Sequence, residues 1–327
     1  MVINCVFELS MILDSDKFEE VFDECYCAND YPEEVDDEYV DRSFEDKGII
    51  VRYRASQFKK KIRLIVHSVA VTSGALSNPE KLVRKLDKLI EMYFAERFQL
   101  ENFTVSGMTI STDLDVGSDD CLQEYLHVLK RIGTVKGFSP TDYESLEDVN
   151  HFSLSGNSNA TDFLAYDLAQ AAANGLKHED MSRSQMQSIL QSMDGILRIE
   201  IHLKKPKAVQ RYTVAYSTAD QITELSEKSR TIFMETFSKV VPYGDFCKKG
   251  DAAEIIRREV QDDVVSRKMM RFLALIPEKK SLHLAQKAMS YRHPEKLLVE
   301  FAKIGLSPVT LSKRQNVKYL KNLYEFL

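Results

Sequence analysis

Ile196-Leu197-Arg198-Ile199-Glu200-Ile201-His202-Leu203 decides the fold class. From Leu197 to Leu203 apolar and polar residues alternate, which is the period of a β-strand and not of a helix. Leu197, Ile199, Ile201 and Leu203 share one face; Arg198, Glu200 and His202 share the other. The apolar face calls for a layer of helices, and the polar face reads as an open sheet surface.

Working upstream, residues 2–12 read as a first strand and 16–26 as a helix. Two Ile/Val-rich segments, 48–54 and 62–72, read as strands. Asn78-Pro79 opens a helix over 79–97, with the cap residue and the first-turn proline that helix entry favours; Leu82, Leu86, Leu89, Ile90 and Tyr93 follow its spacing. Residues 103–116 form a strand ending in Asp113-Leu114-Asp115, followed by a helix over 119–131 with acidic residues at its dipole-positive end. Residues 151–155 and 161–169 read as two strands around Gly156-Asn157-Ser158-Asn159, a turn-rich tetrad. A helix over 182–193 leads into the deciding strand. Between the first helix and the second strand, residues 30–46 hold Asp30, Glu33, Glu34, Asp36, Asp37, Glu38, Asp41, Glu45 and Asp46, a like-charge density that predicts a mobile loop.

Downstream of Pro206 nearly everything reads as helix: 206–213, 219–239, 251–260, 262–275, 281–291 and 294–304. The expected architecture is therefore α+β, an antiparallel sheet with helices on one face over residues 1–205, then a mostly helical basic domain over 206–327. In the last segment a helix, Gly305 and a polar-basic stretch starting at Ser307-Pro308 suit a helix-turn-helix, with a last helix running to residue 327. Ser312, Lys313, Arg314, Gln315 and Lys318 would then face phosphates or base edges. An ordinary helical bundle packed through Val317, Leu320, Leu323 and Phe326 fits the same pattern.

Charge divides along the same line. Residues 196–327 carry 25 Lys+Arg against 15 Asp+Glu, a net of +10, whereas residues 1–195 carry 19 against 35, a net of −16. A nucleic-acid-facing half explains the split, and so does a solvated surface that differs between domains. The cysteines, Cys5, Cys25, Cys27, Cys121 and Cys247, are odd in number and form no CxxC pair. They read as free thiols in a reducing, cytoplasmic setting. No apolar run approaches the ~20 residues of a membrane span, and the N-terminus has no secretory pattern.

Three strands carry polar residues that a structural sheet does not require. Asp113 and Asp115, two apart, share one strand face; Tyr166-Asp167 lies on a second strand; Arg198, Glu200 and His202 lie on the third. Carboxylates from two strands beside a histidine make an oxygen-rich candidate site for magnesium or manganese, formed by Asp113, Asp115, Glu200 and His202. Arg198 and Glu200 engaged in cross-strand surface pairs is the alternative.

The order of these segments resembles the rolling-circle replication initiators of small plasmids and filamentous phages. The segments are Thr112-Asp113-Leu114-Asp115, then Ser155-Gly156-Asn157-Ser158-Asn159 through Phe163-Leu164-Ala165-Tyr166-Asp167, then Leu197-Arg198-Ile199-Glu200-Ile201-His202-Leu203-Lys204. The match spans about residues 100–205. It implies origin-specific nicking and rejoining of one DNA strand, with Tyr166 attacking a phosphate and becoming joined to the 5′ end. It also implies Arg198 in the catalytic set, and Glu200 with Asp113 or Asp115 on a divalent metal. Lys204 and Lys205 would meet the DNA, single- or double-stranded, at a replication origin, and a homodimer stays open. The sequence departs from the family pattern at Leu168, where a lysine follows Tyr-Asp, and at Leu164, where an arginine is frequent; it has no His-x-His pair. A non-catalytic DNA-binding relative, acting as a regulator of replication or transcription, shares every one of these features.

Overall fold

The computed structural model describes residues 1–26, 33–35, 38–56, 59–74, 78–176, 181–289, 291 and 293–327. In chain order the elements are β1 (Asn4–Leu13), α1 (Ser15–Val21) with a π-turn over Phe22–Tyr26, β2 (Glu33–Val35), β3 (Glu38–Asp41), β4 (Ile49–Ala55), β5 (Lys60–His67), α2 (Ser68–Thr72), α3 (Pro79–Tyr93) and β6 (Thr104–Asp115). There follow α4 (Asp119–Lys130), β7 (Phe138–Pro140), β8 (His151–Gly156), β9 (Thr161–Asp167), α5 (Leu168–Leu176), α6 (Arg183–Ser192) and β10 (Ile196–Leu203). The rest is α7 (Pro206–Val209), α8 (Thr218–Val240), β11 (Phe246–Cys247), α9 (Lys249–Glu259), α10 (Asp263–Lys279), α11 (Leu282–Ala288), α12 (Glu295–Lys303) and β12 (Tyr319–Leu320). The fold is α+β.

Strand order is β2-β3-β4-β5-β1-β6-β10-β9-β8-β7, and β11 pairs separately with β12. The β1–β5, β1–β6, β4–β5 and β8–β9 pairs are antiparallel. The chain divides into two compact units, one of residues 2–111 and 201–233, the other of residues 112–200 and 234–327 with Met1. The basic segment 206–327 contributes to both.

In the first unit β1 buries Cys5, Phe7 and Leu9 on one face, as its alternation requires, and α3 buries Leu82, Leu86 and Ile90. The α3 cap forms as expected: the Asn78 side chain accepts from the Lys81 amide at 2.9 Å, and Pro79 occupies the first turn. Two expectations fail here. Residues 68–72 form α2 rather than the end of a strand, although Val69, Val71 and Thr72 favour strands. The reason is tertiary: α2 seats against Gly48, where any Cβ would lie 2.8 Å from Ala70 Cβ and from the Val71 amide. The acidic stretch 30–46 is not a loop throughout, since Glu33–Val35 and Glu38–Asp41 are strands β2 and β3. Neutralisation explains β3. Glu38, 4% exposed, receives Arg63 Nη2 at 2.5 Å and lies 3.6 Å from Arg52, so its charge is met within the sheet. Asp30, Asp36 and Asp37 lie outside the described residues.

In the second unit β8 and β9 have two distinct faces. Phe152, Leu154, Phe163 and Ala165 pair across one of them. There the Phe163 ring lies 6.1 Å from Phe152 and 6.3 Å from Phe237 of α8, and α4 packs on both strands. This is the expected helical layer. The helix-turn-helix is absent: after α12 the chain contains no further α-helix, only β12 and a 3-10 turn over Leu323–Phe326. Residues 305–311 instead bridge to 245–248, with the Ser307 amide donating to the Asp245 carbonyl at 2.9 Å and the Leu311 amide to the Cys247 carbonyl at 3.0 Å. Val309, Thr310 and Leu311 are buried there. Cys5, Cys25, Cys121 and Cys247 are free thiols, as expected; Cys27 lies outside the described residues. No described helix is long and apolar enough to cross a membrane.

Candidate active site

The site lies wholly in the second unit, on the sheet face opposite α4. β9 places Leu164 and Tyr166 on that face because side chains alternate along a strand, and β10 places Arg198 and Glu200 by the same rule. The Tyr166 hydroxyl donates to Glu200 Oε1 at 2.7 Å. The Arg198 guanidinium donates from Nε to Asp113 Oδ1 at 2.7 Å and from Nη2 to Asp113 Oδ2 at 2.8 Å, a two-pronged pair with strong geometric preference. Four residues from three separate stretches of chain therefore converge, as the motif order implied.

Their environments differ. Tyr166 is 8% exposed, its ring packed with Leu146, Val149 and Leu164 and flanked by Tyr143 and Ala171. Burial, then the Glu200 charge, pushes the Tyr166 hydroxyl well above the ordinary phenol range, with Arg198 opposing the shift. The Arg198–Asp113 end is open to solvent, the side chains being 26% and 34% exposed. Asp113 holds Arg198 protonated more firmly than usual. Removing one member of this pair costs its charge-assisted hydrogen bonds, discounted for the solvent that reaches it. Arg198→Ala is expected to lower stability by about 1–2 kcal/mol, read as a shift in the urea midpoint with an unchanged slope.

The face is not the open surface expected. Residues 141–150 cover part of it. Tyr143 donates to Asp162, which also accepts from Ser155 Oγ at 2.7 Å, and Ser153 Oγ donates to the Thr141 carbonyl at 2.5 Å. Tyr143 and Asp162 were missed in the sequence. Asp162 was within reach of it, because it sits at the same strand period as Leu164 and Tyr166; Tyr143 lies in a polar connection with no periodic signal.

Asp167 has a different role. Its Oδ1 accepts from the Gln170 amide at 3.0 Å and its Oδ2 from Gln123 Nε2 at 3.0 Å. It therefore caps α5, which begins at Leu168 where a strand was expected to continue. Burial raises the Asp167 carboxyl above the ordinary aspartate range. The native state then holds the proton more tightly than the unfolded chain. Its contribution to stability is fully present below the unfolded value and is lost as pH rises through the raised value. Asp167→Asn is expected to flatten stability against pH over that window, as measured by urea titrations at several pH values.

The expected magnesium or manganese site does not fit. Both Asp113 oxygens are taken by Arg198, Asp115 Oδ1 accepts from the Gly117 amide at 3.0 Å, and Glu200 accepts from Tyr166. Among the described residues no three His, Cys, Asp or Glu side chains gather into a metal-holding group. His202 keeps the polar face of β10, as its half-buried place in the alternation shows.

The expected DNA contacts divide. Lys313, Arg314 and Lys318 are exposed, but on turns and bends rather than on a recognition helix. Gln315 is 7% exposed, and its amide donates to the Glu124 carbonyl at 3.1 Å and to Glu124 Oε2 at 2.5 Å. The Ser312 amide donates to Gln315 Oε1 at 2.6 Å. Gln315 and Ser312 thus fix the segment to α4 and are not presented for base reading. Lys204 and Lys205 are exposed at the end of β10.

No protein-family model matches the sequence, and no curated protein matches it. A solved structure does: the rolling circle replication initiator protein from Geobacillus stearothermophilus. The two are 11% identical, the alignment covers 95% of this chain and 97% of that one, and the TM-score is 0.32. Similarity at this level does not carry an activity across.

Proposed function

We propose that this protein acts on DNA as a replication initiator of the rolling-circle kind, cutting and rejoining one strand through Tyr166. The observation that carries the reading is the hydrogen bond from the Tyr166 hydroxyl to Glu200, with Arg198 beside it and held by Asp113. Tyr166 Oη attacks the phosphorus of a single-stranded segment and its proton passes to Glu200. The P–O3′ bond breaks, and the 3′ oxygen takes the proton from Glu200. The phosphate stays joined to the tyrosine, so the bond energy is conserved for resealing. The Arg198 fork matches a phosphate as well as it matches a carboxylate. A strand entering at the solvent-reached end would exchange with Asp113 for it and place positive charge beside the equatorial oxygens that carry negative charge around the pentacoordinate phosphorus. Lys204, Lys205 and the exposed Lys313, Arg314 and Lys318 would add sequence-independent phosphate contacts to origin DNA.

Two features favour the second reading, a DNA-binding relative without catalysis. Tyr166 is 8% exposed, and Leu164 and Leu168 occupy places where cations would face a phosphate. Incubation with labelled single-stranded fragments of the DNA element that encodes the protein separates the two. A covalent protein–DNA adduct on a denaturing gel, formed in chelator as well as in magnesium, is the expected result. Binding without an adduct under either condition would establish the second reading.

A further inference from the structure

The second unit contains a cleft of about 860 Å³ that the proposed nicking chemistry does not use. We infer that this cleft binds a nucleotide, its phosphate held by Lys136 and Lys287 and its base against Tyr291.

The loop that carries Lys136 and the start of α11 form one wall. The Leu282 amide donates to the Ile132 carbonyl at 2.8 Å and the His283 amide to the Thr134 carbonyl at 3.0 Å. This seam is close enough that a Cβ at Gly133, which has φ +60°, would collide with the Lys280 carbonyl. The wall is therefore set by backbone pairing and does not depend on the mobile lysine side chains. Leu282, Leu298 and Pro294 line the apolar part. Tyr291 lines the cleft too, with Lys268 Nζ 4.4 Å from its ring centroid. The size is that of a small-molecule site, and an aromatic ring beside apolar groups accepts any base by stacking.

Charge supplies the other half. Lys136, Lys239, Lys287 and His283 line the cleft against a single carboxylate, Glu295. Glu295 is paired with His293 at 3.1 Å. The three lysines make no ion pair among the described residues. Lys136 and Lys287 stand near enough to His283 that both, after burial, depress its protonation. Cations crowded in this way repel one another, and an anion between them removes the repulsion. Ammonium groups on flexible stems meet a phosphate as point charges, and the apolar wall with Tyr291 fits the rest of a nucleotide better than it fits a bare inorganic ion.

The phosphate and base could belong to a free nucleotide or to the 5′-phosphorylated end of a DNA strand; the chemistry at the cleft is the same. Calorimetric titration of the full-length protein with deoxyadenosine 5′-monophosphate, with a 5′-phosphorylated single-stranded oligonucleotide and with inorganic phosphate distinguishes them. Binding of the mononucleotide is expected if the source is free nucleotide, and binding of the oligonucleotide alone if it is a strand end. In either case the Lys136→Glu/Lys287→Glu double variant is expected to weaken binding at least about tenfold. Tyr291→Ala is expected to weaken the nucleotide and leave inorganic phosphate unaffected. Both lysines are exposed, so charge reversal leaves the fold intact, which circular dichroism checks. Tyr166→Phe is expected to leave every titration unchanged, which separates this inference from the nicking reading. No binding of mononucleotide or oligonucleotide, or equal binding by the double variant, would overturn the inference.

Discussion

Tyr166→Phe is expected to lower covalent capture of single-stranded DNA by at least about a thousandfold, with DNA binding unchanged. The substitution removes one oxygen, the only atom on this side chain able to attack phosphorus. The ring stays packed against Leu146, Val149 and Leu164, so nothing else in the unit has cause to move. Glu200 loses the 2.7 Å hydrogen bond it accepted, at a cost of about 1 kcal/mol, small beside the loss of the nucleophile. Glu200→Gln is the informative companion. It keeps the shape and removes the proton acceptor, and general-base removal costs about a hundred- to ten-thousandfold. A rapid-quench comparison of wild type, Tyr166→Phe and Glu200→Gln on one oligonucleotide measures all three rates. An equal rate in Tyr166→Phe would remove Tyr166 from the reaction.

Phe163→Ala is expected to destabilise the protein by about 3–5 kcal/mol. Phe163 is fully buried on the opposite face of β9, between Phe152 at 6.1 Å and Phe237 at 6.3 Å. Cutting the ring back to a methyl group leaves a cavity between two other rings that are themselves fixed on β8 and α8, so collapse into the space is limited. Since Phe163 and Tyr166 hang from the same strand, the loss should also loosen the register that holds Tyr166 against Glu200. Urea titration followed by circular dichroism gives the size of the effect. A change under 1 kcal/mol would mean that this ring trio is not the core of the unit.

The parts legible in the sequence were those with local causes. The β10 alternation gave the two faces of that strand. Asn78 caps α3 with the chemistry its residue type announces. Convergence of Asp113, Tyr166, Arg198 and Glu200 followed from the order of motifs. Illegible were features set by distant partners. The close approach of α2 to Gly48 overrides the strand preference of Val69 and Val71. Asp167 stops β9 by capping α5, although Ala169, Ala171 and Ala172 were helix formers in plain view. Glu38 enters a strand because Arg63, 25 residues away, neutralises it. The segment after Gly305 loses its expected helix to backbone pairing with residues 245–248. At the site, the bidentate Arg198–Asp113 pair, which engages both oxygens of a carboxylate expected on a metal, could not be foreseen from spacing.

Peptide mapping of the DNA adduct by mass spectrometry tests the central claim most directly. After nuclease trimming and proteolysis, the nucleotide mass is expected on the peptide containing Tyr166. Its appearance on a more exposed tyrosine would contradict the account; Tyr216 is fully exposed and Tyr243 is 47% exposed. That result would leave the Tyr166–Glu200 hydrogen bond as part of the structure alone.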